Sequence, residues 1–538
     1  MVGWQAGKDS FYVDEEYNGQ LEHVATPSVS KKCVKCKEST AVLIIRAVDA
    51  FCRCCFKEYF IHKFRAMLGK NRIIFPGEKV LLAVSGGPAS SSMLSQVKEG
   101  LSRDAPKKLR FVPGIIHIDE GGASGQSMED RRRAVAQVES VLRSSNYPYH
   151  IVYLEQALNL PSSVLEVGSS ATEKLQTGPS YKAAVDQFIQ TNQNLHPDLF
   201  LENAWSHLSS LSMQEVQNGL SNPITPENTQ ALQRLFASVR TLTAKEDLLQ
   251  TLRQHLILHT ARTEGYTKVM MGDSCSRLAI KLLSNISLGR GASLAMDTGF
   301  SDSRYGDVVI VRPMRDYSSK EIAYYNRMFD VPSVFIPGLD TKAQDKASIQ
   351  RLTESFVNKL QTDFPATVST IYRTSEKLHT ACPPQNTNSP TFDKCLMCAC
   401  SLDTNAEEFS AFKATLISEQ LSQRRGPGPG LSLGTAGAPG PPPASFTGQG
   451  QCRSSDEGQR QGCGSREPGC CLSAEMPATL DLKSLLCYSC RLTIKDMTAV
   501  DILPQYILAE AERKKRRSHM RKEISEFLLE EEDEAKTS

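Results

Sequence analysis

Lys79 to Met93 reads KVLLAVSGGPASSSM. Val80 to Val84 is an unbroken apolar run leading into Ser85-Gly86-Gly87. A short run of this kind is the pattern of a strand buried on both faces, as in a parallel sheet. Two glycines at its end permit a sharp turn and a close backbone approach. Residues 88–99 suit a helix, with Pro88 tolerated in its first turn. Strand, glycine turn and helix N-terminus form an anion site, because free N–H groups and the helix dipole converge there. Taken bare, SGG after a strand is equally compatible with a plain βα turn.

Outward from this stretch the chain alternates. Phe111–Ile118, Tyr149–Leu154, Thr267–Met271 and Asp307–Arg312 read as further strands, and Ser127–Arg143 and Arg277–Leu288 as helices. A Thr243-Ala-Lys-Glu246 capping box is expected to open a long helix to Thr263, and Ser318-Ser-Lys-Glu321 to open another. Alternation of this kind predicts an α/β fold, with a parallel sheet of about five strands and helices on both faces, Rossmann-type. Ligands of such sheets bind at the carboxyl ends of the strands, which puts Ser85 to Ser90 and Asp119 on one rim. Residues 155–228, rich in Gln, Asn and Ser, read as an insertion with one or two helices of its own. Thr341 to His379 reads as two basic helices broken at Pro365, which could face RNA or solvent.

Sixteen cysteines in a chain with no secretory signal argue for metal rather than disulfides. Cys33, Cys36, Cys52 and Cys55 have the C-x2-C-x15-C-x2-C spacing of a zinc ribbon, expected to be a structural staple, with Cys54 left over. Cys395 and Cys398 (with Cys400 nearby), and Cys487 and Cys490, have knuckle form. They predict a second zinc site closed across a Gly/Pro-rich linker, at little extra cost because loop-closure entropy grows only logarithmically. That linker, residues 423–477, is too poor in apolar surface to order itself.

The loop SGG, two residues on from which comes a serine, resembles the PP-loop of N-type ATP pyrophosphatases, usual form SGGxDS. The flanks, KCVKCKE, FCRCCFKEYFIHKFRAMLGKNRIIFPGEKVLLAVSGG and RTLTAKEDLLQTLRQHLILHTAR, resemble the zinc-ribbon branch of that family, which thiolates the wobble uridine of tRNA. The resemblance covers most of residues 31–377 and resumes near Cys395 and Leu485. It implies a PP-loop ATPase-like sheet, with Ser85, Gly86, Gly87 and Ser90 as the nucleotide-binding residues. Position 89 is Ala, where the family has the acidic residue that serves the nucleotide-metal chemistry. The family's GHNxDD run corresponds to Gly272-Asp-Ser-Cys-Ser-Arg277, so Ser276 and Arg277 replace acids. The family's cysteines before the fourth strand and after the fifth strand's helix are also missing, leaving Cys275 as the one cysteine between Cys55 and Cys382. Thiol transfer or an iron–sulfur cluster needs a thiolate.

The implied role is that of a non-catalytic subunit in formation of 5-methoxycarbonylmethyl-2-thiouridine in cytosolic tRNA. Its partner would be the catalytic, adenylating thiolase subunit, with sulfur from a thiocarboxylated ubiquitin-related modifier; whether this subunit binds ATP is left open by the altered loop. The competing readings are an active ATP-dependent tRNA sulfurtransferase and a zinc-ribbon adaptor for RNA or protein. Lys57, Lys63, Arg65, Lys70 and Arg72, interleaved with aromatics beside the ribbon, suit RNA phosphates or a solvated basic face. This helix is expected to end at Gly69.

The domain plan is a tail over residues 1–30, then ribbon and basic helix 31–72, then sheet domain 73–340. A helical extension 341–381, split cysteine knuckles 382–490 and a basic helix with acidic tail 491–538 follow. Net charge is +2, so the average names no partner. No apolar run reaches the about 18 residues of a membrane span, and the N-terminus resembles neither signal nor transit peptide, so the expected location is the cytosol.

Overall fold

In the computed structural model two short antiparallel strands, β1 (Leu43–Ile44) and β2 (Ala50–Phe51), form a sheet of their own beside the first cysteines. The strand Lys79–Ala83 (β3) lies within a separate six-stranded sheet. The structure describes residues 31–45, 49–102, 105, 108–166, 180–193, 225–378, 394–402 and 482–525. The N-terminal tail, the Gly/Pro-rich linker, much of the insertion and the acidic tail lie outside the described residues. Around β3 stand β4 (Val112–Asp119), β5 (Tyr149–Tyr153), β6 (Lys268–Met271), β7 (Ser301–Asp302) and β8 (Val309–Val311), in the order β5-β4-β3-β6-β8-β7. β3 pairs in parallel with both neighbours, Leu81 facing Gly114 of β4 and Val269 of β6. The edge strand β7, antiparallel to β8, is an addition to the five expected strands. Its two residues are too few to carry a periodicity.

Alternate residues of β3 enter opposite cores. Val80 and Leu82 pack with Met93 and Val97 of the helix Pro88–Leu101 (α2) and with Phe56, Phe60 and Phe64 of the helix Arg53–Asn71 (α1). Leu81 packs with Ile257, Leu258 and Ala261 of the long helix Leu242–Thr263. This is why the run reads as continuously apolar. A third core joins Leu154, Leu232, Leu248 and Leu252 to Cys395, Leu396, Leu486, Cys490, Tyr506 and Ile507. The second cysteine group is therefore built into the body, and Ala157, Leu160 and Val164, assigned by composition to the insertion, pack there too.

Three local expectations are corrected. The long helix is capped by Thr241, whose hydroxyl accepts from Ala244 N, and not by Thr243. A capping box needs a carboxylate for the cap residue's own N–H. Here Asp496, far along the chain, takes the Thr241 N–H at 2.9 Å, while Thr243 accepts from Ile349 N. Helix α1 runs through Gly69 to Asn71 and closes on Arg72 in a left-handed conformation. The sheet, finally, is mixed at its edge. The Ser318 capping box is present in full, and the helices Ile349–Asp363 and Pro365–Thr374 break at Pro365 as expected.

Candidate functional site

The two cysteine groups share one construction. Cys33, Cys36, Cys52 and Cys55 bring their sulfurs within 4.8 Å of one another, and Cys395, Cys398, Cys487 and Cys490 do the same. Four sulfurs bonded to one tetrahedral ion at about 2.3 Å stand roughly 3.8 Å apart. Cys36 and Cys52 are separated by 4.0 Å, and Cys398 and Cys487 by 3.5 Å. In each group the first pair sits in a tight turn followed by a left-handed residue, Lys37 or Ala399. The second pair opens a helix, with Cys52 capping α1 and Cys487 capping the helix Tyr488–Lys495. Free N–H groups at a helix start favour thiolates. Burial opposes ionisation of Cys33, but backbone N–H groups of Cys36, Cys52 and Lys35 overcome it and lower the thiol to about 6. Burial, and then its three neighbouring thiols, push Cys55 up to about 12. Four thiols this close cannot all ionise unless a cation lies among them, so the donor set fits a metal. Cys54 is exposed and stands outside the group.

The second group draws support from residues that its local sequence does not announce. His255 Nε2 meets the Met397 carbonyl at 2.8 Å while Nδ1 meets Tyr506 Oη at 2.7 Å. With Nε2–H donating to the carbonyl, Nδ1 is left to accept from the tyrosine. Burial lowers the His255 pKa to about 4, so the ring stays neutral. Arg304, itself between Asp297 and Asp302, donates to Cys400 Sγ at 3.2 Å. Cys400 is thus tied to an arginine and is not among the four clustered thiols. Leu396 N donates to the Leu485 carbonyl at 2.9 Å, joining the knuckles across the linker.

The glycine loop makes a sharp turn from β3 into α2. Gly86 has φ +84°, and a Cβ there would stand 3.2 Å from Val138 Cγ2 and 3.6 Å from Val334 Cβ. Gly87 caps α2 in extended conformation, with room for a Cβ, so only the first glycine is required by geometry. Ser85 and Ser90 hydroxyls lie 3.2 Å apart, and Ser90 also donates to the Gly87 carbonyl. Gly272, after β6, admits the loop closely: a Cβ on it would come within 2.9 Å of Ser90 Cα. Val334 N donates to the Gly86 carbonyl at 2.9 Å, so the segment after the helix Ser319–Met328 crosses the loop.

Catalytic groups are sparse around it. Ala89 packs against the core. Asp119 is buried against Arg131 at 2.8 Å, and Arg131 also holds Glu155 at 2.6 Å. That commits the carboxylate expected on the rim to an internal ion pair. Asp273 pairs with Arg312 at 3.3 Å, and Ser276 donates to Gln361. Cys275 packs with Leu278, Val357 and Tyr372, and burial pushes its thiol up to about 11.

Of the basic residues on α1, Lys63 turns inward to the buried Glu321 at 2.8 Å and over the Tyr317 ring. It is therefore not available to RNA. Lys57 lies 3.7 Å from Glu99, Arg65 is half-buried, and Lys70 and Arg72 are exposed.

The family model described as cytoplasmic tRNA 2-thiolation protein 2 matches residues 348–492. The zebrafish (Danio rerio) cytoplasmic tRNA 2-thiolation protein 2 is 59% identical over 527 residues, covering 97% of this chain and 99% of the relative. The Homo sapiens protein of the same name is 51% identical over 508 residues, covering 94% and 95%. Among solved structures, the U34-tRNA thiolase NcsA from Methanococcus maripaludis with its [4Fe-4S] cluster overlaps 66% of this chain and 90% of its own, at 13% identity and TM-score 0.42. With relatives this similar along nearly its whole length, the chain belongs to the cytoplasmic tRNA 2-thiolation protein 2 family.

Proposed function

We propose that this chain acts in the cytosol as the non-catalytic half of a heterodimer that 2-thiolates the wobble uridine of tRNA. The catalytic subunit would adenylate the base, and a thiocarboxylated ubiquitin-related modifier would supply the sulfur. The observation that carries this reading is a loop that keeps its turn while the groups that would use it are absent or engaged. Ala89 offers no carboxylate, Asp119 is held by Arg131, and Cys275 is buried with a raised pKa. A thiol of that kind is a poor nucleophile. Ser85, Gly86, Gly87 and Ser90 then serve the architecture of the sheet rim, and through it the partner surface.

Each four-cysteine group would hold one Zn²⁺ as a closed structural site, since four protein thiolates leave no position for water. Lys57, Arg65, Lys70 and Arg72 would contribute RNA-facing charge. The purified chain alone should neither hydrolyse ATP above background nor adenylate tRNA, and should do its work only with the catalytic subunit present. Adenylation by the isolated chain would overturn the reading in favour of an independent sulfurtransferase.

A further inference from the structure

The last described helix, Gln505–Ser525, divides into a root and an arm. Its first two turns are buried in the core around the second cysteine group, with Tyr506 on His255 and with Ile507 and Ala511 sealed from solvent. From Arg513 onward no residue of the helix with a described side chain is buried. The arm is rich in cations: Arg513, Lys514, Lys515, Arg516, Arg517, Arg521 and Lys522 in ten positions.

Its charges are sorted by face. On one side Arg516 pairs with Glu512 at 3.8 Å and His519 with Glu523 at 3.3 Å, both at i,i+4 spacing. On the other, Lys514, Arg517 and Arg521 follow one another at i, i+3 and i+7, a stripe along a single helical side, with Lys515 on the flank about 100° round the helix from Lys514. Lys514 holds the Lys394 carbonyl at 2.9 Å, which fixes the stripe's base to the knuckle of the second cysteine group. Lys515, Arg517 and Arg521 make no ion pair or hydrogen bond among the described residues, although acidic side chains on the same helix pair with its other cations. From Lys514 to Arg521 the stripe spans about 10 Å at 1.5 Å per residue, comparable to about three phosphates along one strand of a duplex.

We propose that this arm is a nucleic-acid clamp, its cations Arg517 and Arg521, with Lys515 on the flank, lying against the phosphate backbone of tRNA. A rooted helix presents its cations in fixed register, so little side-chain-bearing backbone must be ordered on binding. The stripe carries no aromatic anchor of the kind that dominates protein interfaces, and the exposed Met520 and Ile524 beside it are single aliphatic side chains rather than a continuous apolar patch. Phosphates, recognised by charge rather than by base edges, fit it better. The clamp rests on the reading of the chain as a tRNA-thiolation subunit, and it is a contact separate from α1.

The test is tRNA binding by fluorescence anisotropy across potassium chloride from 50 to 200 mM, with the full chain, alone and with the catalytic subunit. The variant is Lys515→Gln/Arg517→Gln/Arg521→Gln, with Arg517 and Arg521 exposed and Lys515 half-buried outside the core, and the replacements should leave melting temperature and metal content unchanged. Losing three phosphate contacts should reduce the salt slope by roughly 2 to 3. Over that salt range the wild type should therefore lose roughly 16- to 64-fold more affinity than the variant. The charge-preserving Lys515→Arg/Arg517→Lys/Arg521→Lys chain should restore both affinity and slope. The same comparison in a chain ending at Ser525 separates the arm from the acidic run Glu530-Glu-Glu-Asp-Glu534 that follows in sequence. If the wild type binds tRNA and the triple Gln variant binds with equal affinity and slope, the clamp is wrong and the functional reading stands. If no form of the chain binds tRNA even with its partner, the functional reading itself fails. Arm-dependent binding to phosphatidylserine vesicles with arm-independent tRNA binding would overturn the clamp in favour of a membrane surface.

Discussion

Replacing Gly86 by Ala should damage the sheet domain where the same change at Gly87 should not. Gly86 has φ +84°, a region that costs an L-residue about 1–2 kcal/mol. Its new Cβ would also stand 3.2 Å from Val138 and near Val334 and Ile336, a site filled from two sides. Overpacking of this kind adds about 1–3 kcal/mol, for roughly 2–5 kcal/mol together. Gly87 sits at φ −71°, and the nearest atom to an added methyl there is Ser85 Oγ at 3.5 Å. Alanine at this position forfeits only some cap preference, under about 1 kcal/mol. In thermal unfolding followed by circular dichroism, Gly86→Ala should fall by roughly 5–15 °C, and Gly87→Ala by at most a few degrees. Equal melting of the two variants, or Gly86→Ala within about 2 °C of wild type, would refute the claim that the turn geometry is what this loop retains.

Metal analysis should find two equivalents per chain. Cys33→Ser and Cys395→Ser should each lose one, and Cys54→Ser none, with the larger stability loss at Cys395 because that group lies within a core. Arg131→Leu leaves Asp119 and Glu155 buried without their cation and should cost about 3–5 kcal/mol, read by urea unfolding. Burial raises the Glu246 carboxyl from 4.5 to about 7, so the folded state holds a proton that the unfolded state releases. Stability is therefore lost as pH rises from about 4.5 through about 7. Glu246→Gln should melt higher than wild type at pH 8, with the gain gone below pH 4.5.

The β3 run is legible in the sequence because both its faces are buried, and the CxxC pairs because a metal knuckle needs only four consecutive residues. Ser318 and Glu321 likewise sit within one turn, so their capping box is a local fact. Thr241 is hidden for the opposite reason: its N–H is satisfied by Asp496, 255 residues away. His255 and Arg304 meet Met397 and Cys400, beside the second cysteine group, across 142 and 96 residues, so no window of sequence could pair them. Lys63 reads as part of a basic face because charge shows in sequence while burial does not; Glu321 lies 258 residues on. Topology alone puts Asp119 at the end of β4, but its partner Arg131 takes the carboxylate out of reach.

Across the described residues outside the two four-cysteine groups, Cys275 is the thiol nearest in sequence to the loop-flanking Gly272. The central claim is that this subunit supplies no catalytic sulfur. The direct measurement is 2-thiouridine in bulk tRNA from cells whose only copy of this chain carries Cys275→Ser. Thiolation at the wild-type level is the predicted result. Thiolation abolished while protein level and partner binding stay normal would contradict it, and would make Cys275 a working thiolate.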